Sequence, residues 1–146
     1  MYHALRLVSA IFLAVAATGV SQSRAESPSF STPSGNILCY VPVHLGSFDA
    51  EADLFCHIFS ADWTPPSEEF CDLDRTATIA LGPKGNPSES MFCHGDVFWP
   101  VPTPVVSYGS SWSVLGYRCE IAESGVTCVN RDGHGFEIAR RGRKLF

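Results

Sequence analysis

Basic residues, long apolar runs and closely spaced cysteines are all scarce in this sequence, and each shortage excludes something. Ten Lys and Arg face fifteen Asp and Glu, a balance that disfavours a general nucleic-acid binder because polyanions are repelled. The longest apolar run, Leu7–Ala17, has eleven residues, well short of a membrane-spanning helix. No Cys-x-x-Cys knuckle occurs. The closest cysteines, Cys119 and Cys128, have eight residues between them, a spacing that suits a disulfide across a short hairpin better than a zinc turn. The phrase GSSWS at 109–113 lacks the second glycine of Gly-x-Ser-x-Gly, so the usual local sign of a serine nucleophile is missing. The D-x-[DN]-x-[DN]-G calcium loop is missing too. No segment carries a convincing amphipathic helix pattern.

What is present begins with an export signal. Arg6 supplies a basic start, Leu7–Ala17 an apolar centre, and Ser23 and Ala25 the small residues expected before a cut at Glu26, which reads as a cleaved signal peptide over 1–25 and one domain over 26–146. Removing Arg6 and Arg24 leaves eight basic residues against fifteen acidic, a net charge of −7. No transmembrane segment is expected in the mature chain.

All six cysteines, Cys39, Cys56, Cys71, Cys93, Cys119 and Cys128, fall in the mature part. An even number in a small exported domain predicts three disulfides and a periplasmic or extracellular location. The simplest pairing is sequential: Cys39 with Cys56, Cys71 with Cys93, Cys119 with Cys128. Chain entropy would credit each link with about 3 kcal/mol.

Short apolar runs between turn formers give six or seven strand candidates, hence an all-β fold, a small antiparallel β-sandwich or a partly open barrel stapled by disulfides. NILCYV covers 36–41. ADLFCHIFSADW at 52–63 is apolar on both faces and allows a short helix as the alternative. TATIALG at 76–82 alternates as a strand with one exposed face, and 82–90 is a loop. Prolines 100, 102 and 104 remove alternate amide donors and make 99–105 an edge or extended segment. SWSVLGYRCEIA at 111–122 and VTCVNRDG at 126–133 form a hairpin with Cys119 and Cys128 near opposing positions. PSGNILC and ESGVTC each place a Ser-Gly turn before a strand with cysteine, a weak internal echo. The tail RRGRKLF reads as a solvated terminus, with pairing to the acidic stretch or contact with an anionic envelope polymer as alternatives.

Several groups could carry chemistry. Eight acids crowd 49–74 with no base before Arg75; a solvated acidic face is the simplest reading. CHGD at 93–96 and DGHG at 132–135 each set a histidine and an aspartate beside glycine. If they converge, His94, Asp96 and His134 would form a ligand site or a metal-dependent centre; otherwise the histidines serve in turns. Trp112, like Trp63 and Trp99, either stacks on a ligand ring or caps the core.

PSGNILC at 33–39, SYGSSW at 107–112 and YRCEIAESGVTCVNRDGHGFEIAR at 117–140 resemble an uncharacterised family of secreted bacterial domains of unknown function. The resemblance rests on Ser34, Gly35, Asn36, Ile37 and Cys39, then Cys93, Gly95, Asp96, Tyr108 and Gly109, then Gly125 to Cys128, Asn130 and Gly133 to Phe136. It implies an extracytoplasmic, disulfide-held domain and attaches no activity.

The expected function is therefore a secreted binding or accessory domain for a small polar ligand, without catalytic residues, metal or cofactor. One alternative is an envelope structural or inhibitor-like protein acting through a protein surface. A second is a hydrolase or metal-dependent enzyme using His94, Asp96 and His134.

Overall fold

The computed structural model describes residues 28–44, 47–48, 51–66, 70–95 and 103–146. The signal sequence, Asp96, Trp99, Pro100 and Pro102 lie outside them. Strands β1 (Ser29–Ser31), β2 (Ile37–Tyr40), β3 (Val43–His44), β4 (Ser47–Phe48), β5 (Leu54–Ile58), β6 (Asp74–Leu81), β7 (Ser88–His94), β8 (Ser110–Val114), β9 (Tyr117–Ala122), β10 (Gly125–Val129), β11 (Gly135–Ala139) and β12 (Gly142–Leu145) follow one another with no helix among the described residues. They form two five-stranded antiparallel sheets, β1-β2-β5-β6-β7 and β12-β11-β10-β9-β8, plus the small β3-β4 pair. The two large sheets are separate, so the barrel alternative does not apply.

Period-two patterning explains the packing. Strand β9 buries Tyr117, Cys119 and Ile121 and exposes Arg118, Glu120 and Ala122; in the other sheet Leu54, Cys56 and Ile58 of β5 face the same core as Ala77, Ile79 and Leu81 of β6. Two of the three disulfides lie inside this core. Cys39 is opposite Cys56 in the β2–β5 register, and Cys119 is opposite Cys128 in β9–β10, each pair with Cα atoms 4.1 Å apart. Sulfurs of Cys39, Cys56 and Cys128 come within 4.8 Å of one another, so the links touch across the sheet interface. Cys71–Cys93 is the third link and ties the segment before β6 to β7 near the surface. The pairing is sequential, and all six thiols are consumed.

The segment 52–63 contains the inner strand that its apolar faces predict, Leu54–Ile58, paired on its two edges with β2 and β6, so the helix alternative does not apply. Four expectations need correction. The loop after β6 is shorter than 82–90, since Ser88–Ser90 already pair with β6. Thr76 and Thr78, placed on an exposed face, are buried, and their hydroxyls bond the imidazoles of His94 and His57. Ser111–Ala122 is two strands, not one. Leu115 (φ 53°) and Gly116 (φ 88°) both take left-handed backbone and fold β8 onto β9, the geometry of a tight hairpin turn. Arg131 holds that turn, donating from Nη2 to the Leu115 carbonyl at 2.8 Å.

The tail is the fourth correction. Gly142–Leu145 pairs with β11, and Phe146 exchanges backbone hydrogen bonds with Gly135 at 2.9 and 2.7 Å. Arg140 pairs with Asp62 of the acidic stretch at 3.6 Å, as one alternative reading of the tail has it, and Lys144 lies 5.6 Å from the Phe146 ring centre. Arg143 donates twice to Glu89 of β7, at 2.6 and 2.8 Å, and lies 4.8 Å from the Trp63 ring centre. This joins the β7 and β12 edges of the two sheets, as Phe30 on Trp112, 5.0 Å between ring centres, joins β1 and β8. Arg143→Ala is expected to cost about 1 kcal/mol in chemical unfolding, more than Arg118→Ala, whose pair with Glu120 is more exposed and bridges neighbours on one strand. High salt should shrink both effects.

Candidate functional site

Turns from both sheets meet at one end of the domain around a cleft of about 690 Å³, within the size usual for small-ligand sites, about 300–1,000 Å³. Its walls come from the β1–β2 turn (Thr32, Ser34, Asn36, Ile37), Ser60 after β5, Tyr108 before β8, the β9–β10 turn (Ala122 to Gly125) and the β11–β12 turn (Ala139, Arg140, Arg141).

Local chemistry makes each wall rigid. Thr32 and Ile37 exchange hydrogen bonds across the first turn, with Gly35 N donating to the Thr32 carbonyl at 2.8 Å. The Asn36 amide bonds Ser60 on both sides, donating to its carbonyl at 3.0 Å and accepting from its N–H at 2.7 Å, which locks the turn of one hairpin to the chain leaving β5. Gly125 forms part of the wall. Its φ of +146° and a Cβ position 2.5 Å from the Ile138 carbonyl leave no room for any side chain there. Tyr108 projects from a turn that closes with Ser110 N donating to Ser107 O, its ring 37% exposed.

Charge in the cleft is mixed. Arg140 pairs with Asp62 at 3.6 Å. Among the described residues neither Arg141 nor Glu123 has an ion pair within 4 Å, and both are exposed.

The residues singled out from sequence lie elsewhere. His94 ends β7, opposite Asp74 of β6, with its Nε2 2.7 Å from Thr76 Oγ1. It points away from the core along an aromatic row in which Tyr40, His57 and Phe92 follow at ring distances of 5.6 to 5.8 Å. His57 is the buried member of that row. Thr78 donates to the Thr76 carbonyl, so its oxygen accepts from His57 Nδ1–H, and burial, followed by repulsion from His94, holds the imidazole pKa down at about 4.

His134 lies in the turn between β10 and β11, which packs on the β6–β7 turn at the far end of these two strands. Buried Asn130 accepts from the N–H groups of Asp132 and His134, both at 3.1 Å, and donates to the carbonyls of Gly82 and Gly85 at the β6–β7 turn. DGHG is thus a turn organised by Asn130. The eight residues of β6 separate the two ends by roughly 23 Å at about 3.3 Å per residue, so the structure does not bring His94 and His134 together, and Asp96 lies outside the described residues. Trp112 is 7% exposed and packs in the core on Phe30; it presents no ring to a ligand.

Sequence reading missed the cleft because its residues are common polar types scattered over a hundred positions. One signal pointed there. The two Ser-Gly phrases and the Tyr-Gly turn supply Ser34, Asn36, Tyr108, Ser124 and Gly125 to the same cavity.

The chain matches a protein family over residues 7–146 and belongs to it: the Family of unknown function (DUF6636). No curated protein and no solved structure matches it.

Proposed function

We propose that this member of DUF6636 is an exported binding or accessory domain that seats a small polar ligand in the end cleft. The observation that carries the reading is convergence: the phrases at 33–39, 107–112 and 117–140 that mark the family resemblance contribute to one cavity of about 690 Å³. Walls fixed by hydrogen bonds, with hydroxyls and charged heads facing the space, suit recognition without rearrangement. Periplasmic or extracellular residence fits the three disulfides and the signal-like start. Among the described residues no helix is long and apolar enough to cross a membrane.

Calorimetric titration with maltotriose, digalacturonate and trialanine, one neutral, one anionic and one dipolar, tests this. At least one should bind. Ser124→Trp, which plugs the cleft from an exposed turn, should abolish that binding with little change in melting temperature, while His134→Ala keeps it. Binding that survives Ser124→Trp, or no binding by any of the three, would overturn the assignment.

A second reading has its own observation. Phe70 and Leu73 are 88% and 59% exposed on either side of Cys71, in a segment tied to β7 by the Cys71–Cys93 disulfide. A stapled loop offering apolar side chains suits an inhibitor-like or structural protein that docks on another protein. Phe70→Ser would weaken such docking and leave cleft binding unchanged.

A further inference from the structure

We infer that the cleft is built for a dipolar ligand, one carrying both an ammonium and a carboxylate, as a short peptide with free ends does. The inference rests on the cleft being the ligand seat and adds which chemistry it selects. Three candidate positive or negative groups line the cavity, and their pairing separates them. Arg140 is bound to Asp62 at 3.6 Å, and the Asp62 N–H donates to the Arg140 carbonyl at 2.8 Å, so that guanidinium serves the fold. Arg141 and Glu123 are left as one cation and one anion, on the β11–β12 and β9–β10 turns, without an ion pair to each other or to any other described residue.

Opposite charges facing one cavity and not neutralising each other favour a ligand that brings the complementary pair in reverse order. A guanidinium fork holds a carboxylate through two parallel hydrogen bonds, and a carboxylate accepts from an ammonium. A purely anionic ligand would meet Glu123, and a purely cationic one would meet Arg141, so each gains one contact and loses by the other. A neutral sugar would leave both charged heads without a charged partner. Tyr108, exposed at the same cavity, adds a flat apolar surface to its lining.

The test compares trialanine with N-acetyltrialanine and trialanine amide, each titrated calorimetrically into the oxidised protein. Trialanine should bind most tightly. Each blocked form should bind about twofold to fivefold more weakly, the loss expected for one partly solvated charged contact. Glu123→Gln should weaken trialanine by a similar factor yet not weaken N-acetyltrialanine, an anion whose repulsion by Glu123 it removes, and Arg141→Gln should likewise weaken trialanine and not its amide, a cation. Both substitutions are on exposed turns, and unchanged melting temperatures will show that folding is not the cause.

Equal affinity for the free and blocked peptides would overturn the inference. So would maltotriose or digalacturonate binding more tightly than trialanine. If that tighter ligand is lost in Ser124→Trp, the cleft stands as the seat and only the dipolar selection fails; if it survives, both fail together.

Discussion

Replacing Cys119 and Cys128 together by alanine should cost about 4 kcal/mol of folding stability, and Cys39 with Cys56 about as much. Closing loops of these lengths, with separations of 9 and 17 residues, contributes about 3 kcal/mol in chain entropy. The remainder is packing. All four cysteines are fully buried, and the two links touch in the middle of the core, so truncating either pair leaves a void beside the other. Cys71–Cys93 spans 22 residues, and loop length alone would rank it first. Its surface position ranks it last, at about 3 kcal/mol, the chain-entropy share alone, because solvent replaces whatever the sulfurs touched. Urea unfolding of the three double variants decides between the rankings. The largest loss at Cys71–Cys93 would show that chain entropy governs and that contact between the inner links counts for little.

Acid should weaken the domain through His57. Its pKa falls from 6.5 in the open chain to about 4 when folded, chiefly by burial and then by His94. The unfolded chain therefore takes up a proton that the native state refuses between those two values. Stability from this group is complete above about pH 6.5 and is lost as pH falls toward 4, a decline of about 3 kcal/mol. His57 is 1% exposed, so little solvent screening reduces that figure. Carboxylates add their own slope below pH 5, and His57→Gln separates the contributions while keeping a donor for Thr78. Chemical unfolding at pH 7, 5.5 and 4.5 should give a shallower decline in His57→Gln than in the natural protein. Parallel curves would mean that His57 titrates normally and that burial does not hold it neutral.

Much of the architecture could be read from the chain because the decisive signals were local. Cys119 and Cys128 flank a short turn between alternating strands, so register alone brings them together. Proline at alternate positions marks 99–105 as an edge or extended segment; 99–102 lie outside the described residues, and in the described part Pro104 accepts from Ser31 N at 2.8 Å beside β1. The turn at Leu115–Gly116 was not legible. Leucine rarely takes positive φ, and its support, the Arg131 side chain, comes from 16 residues away. The buried face of β6 was hidden for a similar reason: threonine reads as solvent-facing until histidines from β5 and β7 satisfy its hydroxyls.

The site was less legible than the fold. CHGD and DGHG drew attention because histidine beside glycine is chemically suggestive, yet strand β6 keeps them at its two ends. The cleft instead draws on turns that are far apart in sequence and adjacent only after both sheets have formed. Serine, tyrosine and a lone glutamate in turns carry no signal until the topology gathers them.

Amide chemical-shift mapping tests the central claim most directly. The oxidised protein is titrated in turn with maltotriose, digalacturonate and trialanine. The account predicts that the responding amides lie at 32–37, 60, 108, 122–125 and 139–141, and that trialanine gives the largest response. Shifts centred on 92–94 or 130–134, or a cleft that answers none of the three, would contradict it.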